Sequence, residues 1–228
     1  MKVLNYDNTE ILEGDLAIKI ANLLKEDIKE NGFAQLLVSG GSTPINLFQK
    51  LSQIEIDWKS VTIGLVDERY VSQDSEFSNE TLVKTHLIQN FASSANLIGM
   101  VYDTENETNN LNVCKEKNID FLTKKIAVTI LGMGEDGHTA SLFPGDTASE
   151  KDLESTGNKG VLLTNAPNHP TNRITFSKDL LLNSEYVFLF IVGNSKMKVL
   201  EKAKERNYPI SKFMDKTNVQ IYFTSTKS

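Results

Sequence analysis

Apolar residues along the chain gather into short continuous runs, and between these runs they recur at helical spacing. Val3 to Tyr6, Gln35 to Val38, Thr62 to Val66, Ala127 to Leu131, Val161 to Leu163, Arg173 to Phe176, Val187 to Val192 and Val219 to Phe223 predict strands. Ile11 to Glu30, Pro44 to Leu51, Ser78 to Gln89, Asn106 to Lys125 and Ser195 to Arg206 predict helices. Helices that separate strands imply right-handed crossovers, and the expected class is α/β with a mostly parallel sheet. No repeat, low-complexity tract or linker divides the chain, so residues 1–228 are expected to form one domain. The polar stretch Ser149 to Lys159 reads as a mobile surface insertion beside the loop described next, in a position to serve as a lid.

Several of the strands run directly into turn-forming residues, and the most informative case follows Leu131. There the chain reads Gly132-Met-Gly-Glu-Asp-Gly-His-Thr-Ala-Ser-Leu-Phe-Pro-Gly145. A buried strand thus delivers a flexible loop that carries an acid, Asp136, and an imidazole, His138, where open α/β sheets place their chemistry. Gly132, Gly134 and Gly137 satisfy the spacing of a dinucleotide fingerprint, but that site needs a helix starting at the third glycine. Pro144 and Gly145 would stop such a helix within about two turns, so no nicotinamide or flavin is expected. What remains is a turn presenting His138, whose ordinary pKa of about 6.5 suits proton transfer near neutrality.

The same grammar recurs. After Val38 come Ser39-Gly40-Gly41-Ser42-Thr43-Pro44, with Thr43 placed as an N-cap and Pro44 as the first helical residue. Two glycines ahead of a helix can turn several backbone N–H groups toward one anion, a phosphate cradle; an ordinary strand-to-helix turn is the alternative. It is no Walker A loop, because no Gly-Lys-Ser/Thr follows. After Val66 stand Asp67, Glu68 and Arg69, three charges expected to project into the crevice rather than along a helix surface. After Val192 come Gly193-Asn194-Ser195-Lys196, which put Lys196 in the first turn of a helix. A cation there opposes the helix dipole, which a bound anion would explain and an exposed lysine would merely tolerate. Arg173, between a turn-rich segment and Ile174-Thr175-Phe176, has the fork geometry suited to phosphate.

Composition narrows the classes. A chain of 228 residues can bury a sizeable core, and its net charge of −6 argues against general nucleic-acid binding. No apolar span reaches the length of a membrane helix, and the stretch Met1 to Asp7 lacks a signal-peptide apolar core, so the cytoplasm is the natural compartment. The single cysteine, Cys114, shares a helix face with Leu111 and Leu122 and reads as a buried structural thiol. With three histidines and no ligand spacing, no metal site is expected; His86 reads as structural or exposed, and His169 as a surface-turn residue.

Taken in order, Ser39-Gly-Gly-Ser-Thr-Pro44, Asp67-Glu-Arg69, Ser78-Asn79, the block Gly132 to Gly145, Ala166-Pro167, Arg173-Ile-Thr175 and Gly193-x-x-Lys196 resemble the 6-phosphogluconolactonases over nearly the whole chain. The central block is long and specific, whereas Ser-Gly-Gly-Ser-Thr-Pro is shared with the related glucosamine-6-phosphate deaminases. The resemblance implies a doubly wound Rossmann-like sheet with helices on both faces. It further implies hydrolysis of 6-phospho-D-glucono-1,5-lactone in the oxidative pentose phosphate pathway, without metal or organic cofactor. Carried over by residue, it makes His138 the general base toward the lactone C1, with Asp136 orienting or polarising the site and Arg69 stabilising charge on the carbonyl oxygen. Gly40, Gly41, Ser42 and Thr43, with Arg173 and Lys196, would hold the phosphate; Asp67 would position Arg69 or bind sugar hydroxyls. The expected partner is a small sugar-phosphate lactone, with no nucleic acid and no membrane, and a monomer is compatible with the sequence.

Ser72 and Gln73 stand where the family has prolines, and His169 and Asn172 stand where more basic residues are common. Two other functions compete with this reading. A glucosamine-6-phosphate deaminase follows its Gly-His with Asn-Glu-Pro-Gly, but here Phe143 occupies the place of the glutamate. A non-catalytic sugar-phosphate sensor could share the fold, but it would not need the Asp136/His138 pair, and no helix-turn-helix precedes the first strand. No G-x-S-x-G elbow marks a serine esterase.

Overall fold

The strands are, in chain order, β1 (Lys2–Tyr6), β2 (Ala34–Val38), β3 (Val61–Leu65), β4 (Asp67–Arg69), β5 (Asn96–Ile98), β6 (Val128–Leu131), β7 (Val161–Asn165), β8 (Asn172–Phe176), β9 (Tyr186–Val192) and β10 (Val219–Thr224). The helices are α1 (Thr9–Asn31), α2 (Ile45–Ser52), α3 (Asn79–His86), α4 (Glu107–Lys117), α5 (Ile119–Thr123), α6 (Thr147–Glu154), α7 (Lys178–Leu182), α8 (Asn194–Glu201) and α9 (Ser211–Met214). This computed structural model describes residues 2–226; Met1 of the N-terminal stretch lies outside the described residues.

Seven of these strands form one parallel sheet in the order β1-β10-β9-β6-β2-β3-β5, as the alternation of runs and helical patterns requires. Sheet strands covered on both sides read as unbroken apolar runs, and every residue of β2 and β6 is buried. α1 shows how the helices cover it. Asn8 accepts a hydrogen bond from the Ile11 N–H at 3.0 Å, and Gly32, left-handed at φ 78°, closes the C-terminus onto the Ile28 carbonyl. Leu12, Leu16, Ile20 and Leu24, one turn apart, are fully buried. Each such side chain contributes roughly 1.5–3 kcal/mol.

The chain builds outward from β2 through β3 to β5, then returns to β6 and builds the other way through β9 and β10. The reversal lies between the neighbours β2 and β6. Ligands of open α/β sheets sit beyond the strand C-termini at such a switch point, which is where the Ser39–Pro44 and Gly132–Gly145 segments emerge.

Several expectations need correction. Val161 to Leu163 and Arg173 to Phe176 do not join the main sheet. They form β7 and β8 of a small antiparallel sheet, order β4-β8-β7, which the chain enters by bending at Val66. The Val66 N–H bonds the Val38 carbonyl in the large sheet at 3.0 Å, while its own carbonyl accepts the Phe176 N–H in the small one. Asp67, Glu68 and Arg69 are therefore strand residues rather than a loop. The helix expected over 106–125 divides at Asn118, whose backbone leaves helical geometry while its Nδ2 bonds the carbonyls of Gly99 and Cys114. The helix expected to reach Arg206 ends at Glu201. Thr43 is not the N-cap of α2, which begins one residue later with Pro44 in the cap position.

The expected mobile insertion at 149–159 is half helix. Asp146 accepts hydrogen bonds from the Ser149 N–H and hydroxyl, Asp152 accepts from the Lys178 N–H at 2.7 Å, and the Lys178 ammonium caps the Leu153 carbonyl at 3.0 Å. Buried anchors at Ser149 and Asp152 fix α6 in place, which removes the basis for a lid.

Candidate active site

The turn after β6 is built from its own residues. The Gly134 N–H donates to the His138 carbonyl at 2.9 Å, the Gly137 N–H to the Gly134 carbonyl at 3.1 Å, and the His138 N–H to Asp136 Oδ1 at 3.1 Å. This winding folds the two side chains together, with His138 Nδ1 and Asp136 Oδ1 2.5 Å apart. A Cβ on Gly134 would lie 2.3 Å from the His138 ring, so only glycine admits the pair. No helix follows Gly137 before α6, which removes the dinucleotide reading by geometry. Burial raises the Asp136 carboxyl, but the hydrogen bond and charge of His138 outweigh it, and its pKa lies below the usual range. With Nδ1 directed to a carboxylate, Nε2 is left to take a proton, and the ring is about a third exposed to do so, at 32%. Phe143 backs the imidazole with ring centroids 4.5 Å apart. The Ile210 N–H donates to the Gly137 carbonyl at 3.1 Å and ties the turn to the segment before α9.

The turn after β2 is shaped from outside. Asn79, the first residue of α3, presses its side chain against Gly40, where a Cβ would sit 1.8 Å from Asn79 Oδ1. Asn79 is held in turn by its Nδ2 on the Asp67 carbonyl at 2.9 Å and by its N–H on Glu68 Oε1 at 2.8 Å. Glu68, 2% exposed, also accepts from the Arg69 and Glu80 N–H groups and the Ser78 hydroxyl. Burial pushes its pKa up to about 7 against the pull of those four donors. One carboxylate thereby joins β4 to the start of α3. It fixes Arg69, whose Nη1 also donates to the Phe77 carbonyl at 2.6 Å.

Two adjoining clefts open over these turns. The first, about 290 Å³, is walled by Ser39 to Pro44, Asp67, Arg69, Asn79, Leu131 to Gly134, His138, Ala140, Phe190 and Lys196. Lys196 stands in the first turn of α8, as expected, and lines the same cavity as Gly40 and Gly41. The second, about 190 Å³, shares Asp67, Arg69, His138 and Ala140 with the first and adds Asp136, Ser141, Phe143, Ala166, Pro167, Asn168 and Arg173. The structure thus brings eight of the ten expected residues around the first cleft, and Asp136, which lines only the second, contacts His138 on the wall the two clefts share. Arg173 lies apart, in the second cleft only.

Sequence reading missed four contributors. Ser141, fully buried, donates to Asp67 Oδ2 at 2.5 Å and anchors that carboxylate. Asn79 and Glu68 act as just described, and Phe143 is the backing ring. Ser78-Asn79 was visible only as a matching dipeptide; nothing local signals Ser141, which lies 74 positions from its partner. His86 and His169 take no part: His86 meets Gln49 at 3.3 Å, and His169 packs edge-on to the exposed Phe77. Cys114 is fully buried, its thiol pushed by burial up to about 12, as expected for a structural residue. No helix of the described residues is long and apolar enough to cross a membrane.

Residues 7–222 match the family described as glucosamine-6-phosphate isomerases/6-phosphogluconolactonase. A 6-phosphogluconolactonase of Rhizobium meliloti is 35% identical over 96% of both chains. One from Neisseria meningitidis is 34% identical over 95% of both. The crystal structure of a 6-phosphogluconolactonase from Shewanella baltica superposes with a TM-score of 0.91 at 36% identity, covering 100% of this chain and 98% of that one. By sequence and fold, the chain belongs to the glucosamine-6-phosphate isomerase/6-phosphogluconolactonase family.

Proposed function

We propose that the chain hydrolyses 6-phospho-D-glucono-1,5-lactone to 6-phospho-D-gluconate in the oxidative pentose phosphate pathway, with His138 as general base. The observation that carries the reading is the Asp136–His138 contact of 2.5 Å on the wall shared by two clefts, one of them lined by the glycine turn and Lys196. The substrate phosphate lies against Gly40, Gly41, Ser42 and Thr43, with Lys196 supplying the opposing charge. His138 Nε2 takes a proton from water as its oxygen adds to C1, and the carbonyl oxygen takes up the negative charge beside Arg69. Collapse of that adduct breaks the bond from C1 to the ring oxygen, which receives the proton held by His138. The new acid then ionises to a carboxylate. No covalent nucleophile is needed, because a lactone carbonyl is electrophilic enough for one base and one oxyanion partner.

Asp136 holds the imidazole in the tautomer that leaves Nε2 open, and Asp67, fixed by Ser141, faces both clefts and is assigned to sugar hydroxyls. The reaction is assigned to the cytoplasm. Phe143 packed on His138 disfavours the deaminase reading, since that chemistry wants an ionisable group in its place. The test is hydrolysis of freshly generated 6-phosphogluconolactone, corrected for spontaneous opening, beside release of ammonia from glucosamine 6-phosphate. Fast hydrolysis with no ammonia supports the lactonase; ammonia release, or phosphogluconate binding without turnover, overturns it.

A further inference from the structure

Arg173 is a cation in a place that needs an anion. The β4–β8 register sets it directly across from Arg69, two like charges on one face of the small sheet, an arrangement that destabilises a strand pair. It is 9% exposed, and among the described residues it forms no ion pair. Its Nη1 donates to the carbonyls of Pro170 and Asn172, and its guanidinium stands 6.0 Å from the centroid of Phe143. Nε and Nη2 have no protein partner among the described residues. Burial and the charge of Arg69 lower its pKa, and the nearby carboxyls of Asp67 and Glu68, neither of them within ion-pair distance, offset this only in part. Such a group is costly unless a ligand completes it.

The position of Arg173 says which ligand. It is absent from the cleft of the glycine turn and Lys196, and present in the second cleft with His138, Asp136 and Arg69. The ring of Phe143 packs on the His138 imidazole and lies beside the Arg173 guanidinium, so the guanidinium is placed on the His138 side of the substrate. We propose that Arg173, with Arg69, binds the C1 end of the ligand, meeting the oxygens that become the product carboxylate, rather than the phosphate. This deepens the lactonase reading and rests on it. It divides the anion sites into a phosphate cradle on one side of His138 and a carboxylate fork on the other, with the reacting carbon between them. Arginine suits the second because a planar carboxylate can take two parallel N–H bonds from one guanidinium.

The test compares two ligands that share the phosphate and differ at C1: 6-phosphogluconate, which carries the carboxylate, and glucitol 6-phosphate, which carries an alcohol. Calorimetric titration of the full chain is expected to show the carboxylate compound binding about tenfold or more tightly in the wild type. In Arg173→Met, which keeps the buried volume, 6-phosphogluconate is expected to fall to the affinity of the alditol, while the alditol changes by less than about threefold. Equal loss for both ligands would make Arg173 a phosphate-binding residue and overturn the proposal. If Arg173→Met does not fold, the wild-type comparison decides alone: equal affinity for the two ligands overturns the carboxylate site and leaves the lactonase reading standing. Failure of the wild type to bind either compound overturns both.

Discussion

The turn after β6 and the turn after β2 emerge side by side from neighbouring strands, and both break an apolar run into glycines, yet they are held in opposite ways. The β6 turn is closed by bonds among Gly134, Asp136, Gly137 and His138. The β2 turn takes its shape from Asn79 and, behind it, from Glu68 on another strand. The first sets two side chains at reacting distance, which demands local precision. In the proposed reaction the second presents backbone to the substrate phosphate, and for that it is enough that a neighbour excludes any side chain at Gly40. A turn closed mainly by its own bonds suits proton transfer, whereas one shaped mainly by its neighbours lets binding energy be adjusted from a distance.

This division predicts separable losses. Removing the phosphate from the substrate takes away every contact of the β2 turn and leaves the β6 turn untouched. Gluconolactone should therefore show a kcat/KM lower by on the order of 10³, several charge-assisted hydrogen bonds at about 1.5–3 kcal/mol each being lost. Comparable rates for the two lactones would mean that the glycine turn is an ordinary strand-to-helix connection.

The buttress itself titrates. Glu68 has a folded pKa of about 7 against 4.5 for the free group, so its contribution to stability is fully present below pH 4.5 and is lost as pH rises through 7. Denaturation of the wild type and Glu68→Gln across that window should show the wild type losing about 3 kcal/mol relative to the variant. A pH-independent difference would remove the titration from the account.

Within the β6 turn, Asp136→Asn should lower kcat by roughly 30-fold while changing KM little, because the amide no longer selects the tautomer that leaves Nε2 open. The native Asp136 carboxyl titrates below its usual range, so it should contribute no inflection to the rate profile between pH 5 and 8. Gly40→Ala should do the reverse: the added Cβ displaces Asn79, raising KM about tenfold with kcat nearly kept. Steady-state kinetics of the two variants, side by side, read both halves of the comparison.

How far each region is legible in the sequence follows from how it is held. Asp136 and His138 are two positions apart and the glycines around them are local, so the turn and the pairing of its acid with its imidazole could be read directly. Lys196 follows from a glycine and a helical pattern. The second cleft is assembled over long separations. β4 has three residues, too few to show a period, so Asp67, Glu68 and Arg69 read as a charged loop. Its pairing with β8 brings Arg69 to Arg173 across more than a hundred positions, and only the register exposes the like charges. α6 was hidden because two of its three buried residues, Ser149 and Asp152, are polar, and Asp152 finds its partner, the Lys178 N–H, only once α7 is in place. Asn118 divides the helix through a bond to Gly99, which helical periodicity cannot register.

The most direct test of the division of labour is His138→Ala, measured both for hydrolysis of 6-phosphogluconolactone and for 6-phosphogluconate affinity. The account predicts a kcat lower by about 10²- to 10⁴-fold, with ligand affinity within about twofold of the wild type. Turnover that survives the substitution, or affinity that collapses with it, would contradict the assignment of proton transfer to the β6 turn and anion binding to its neighbours.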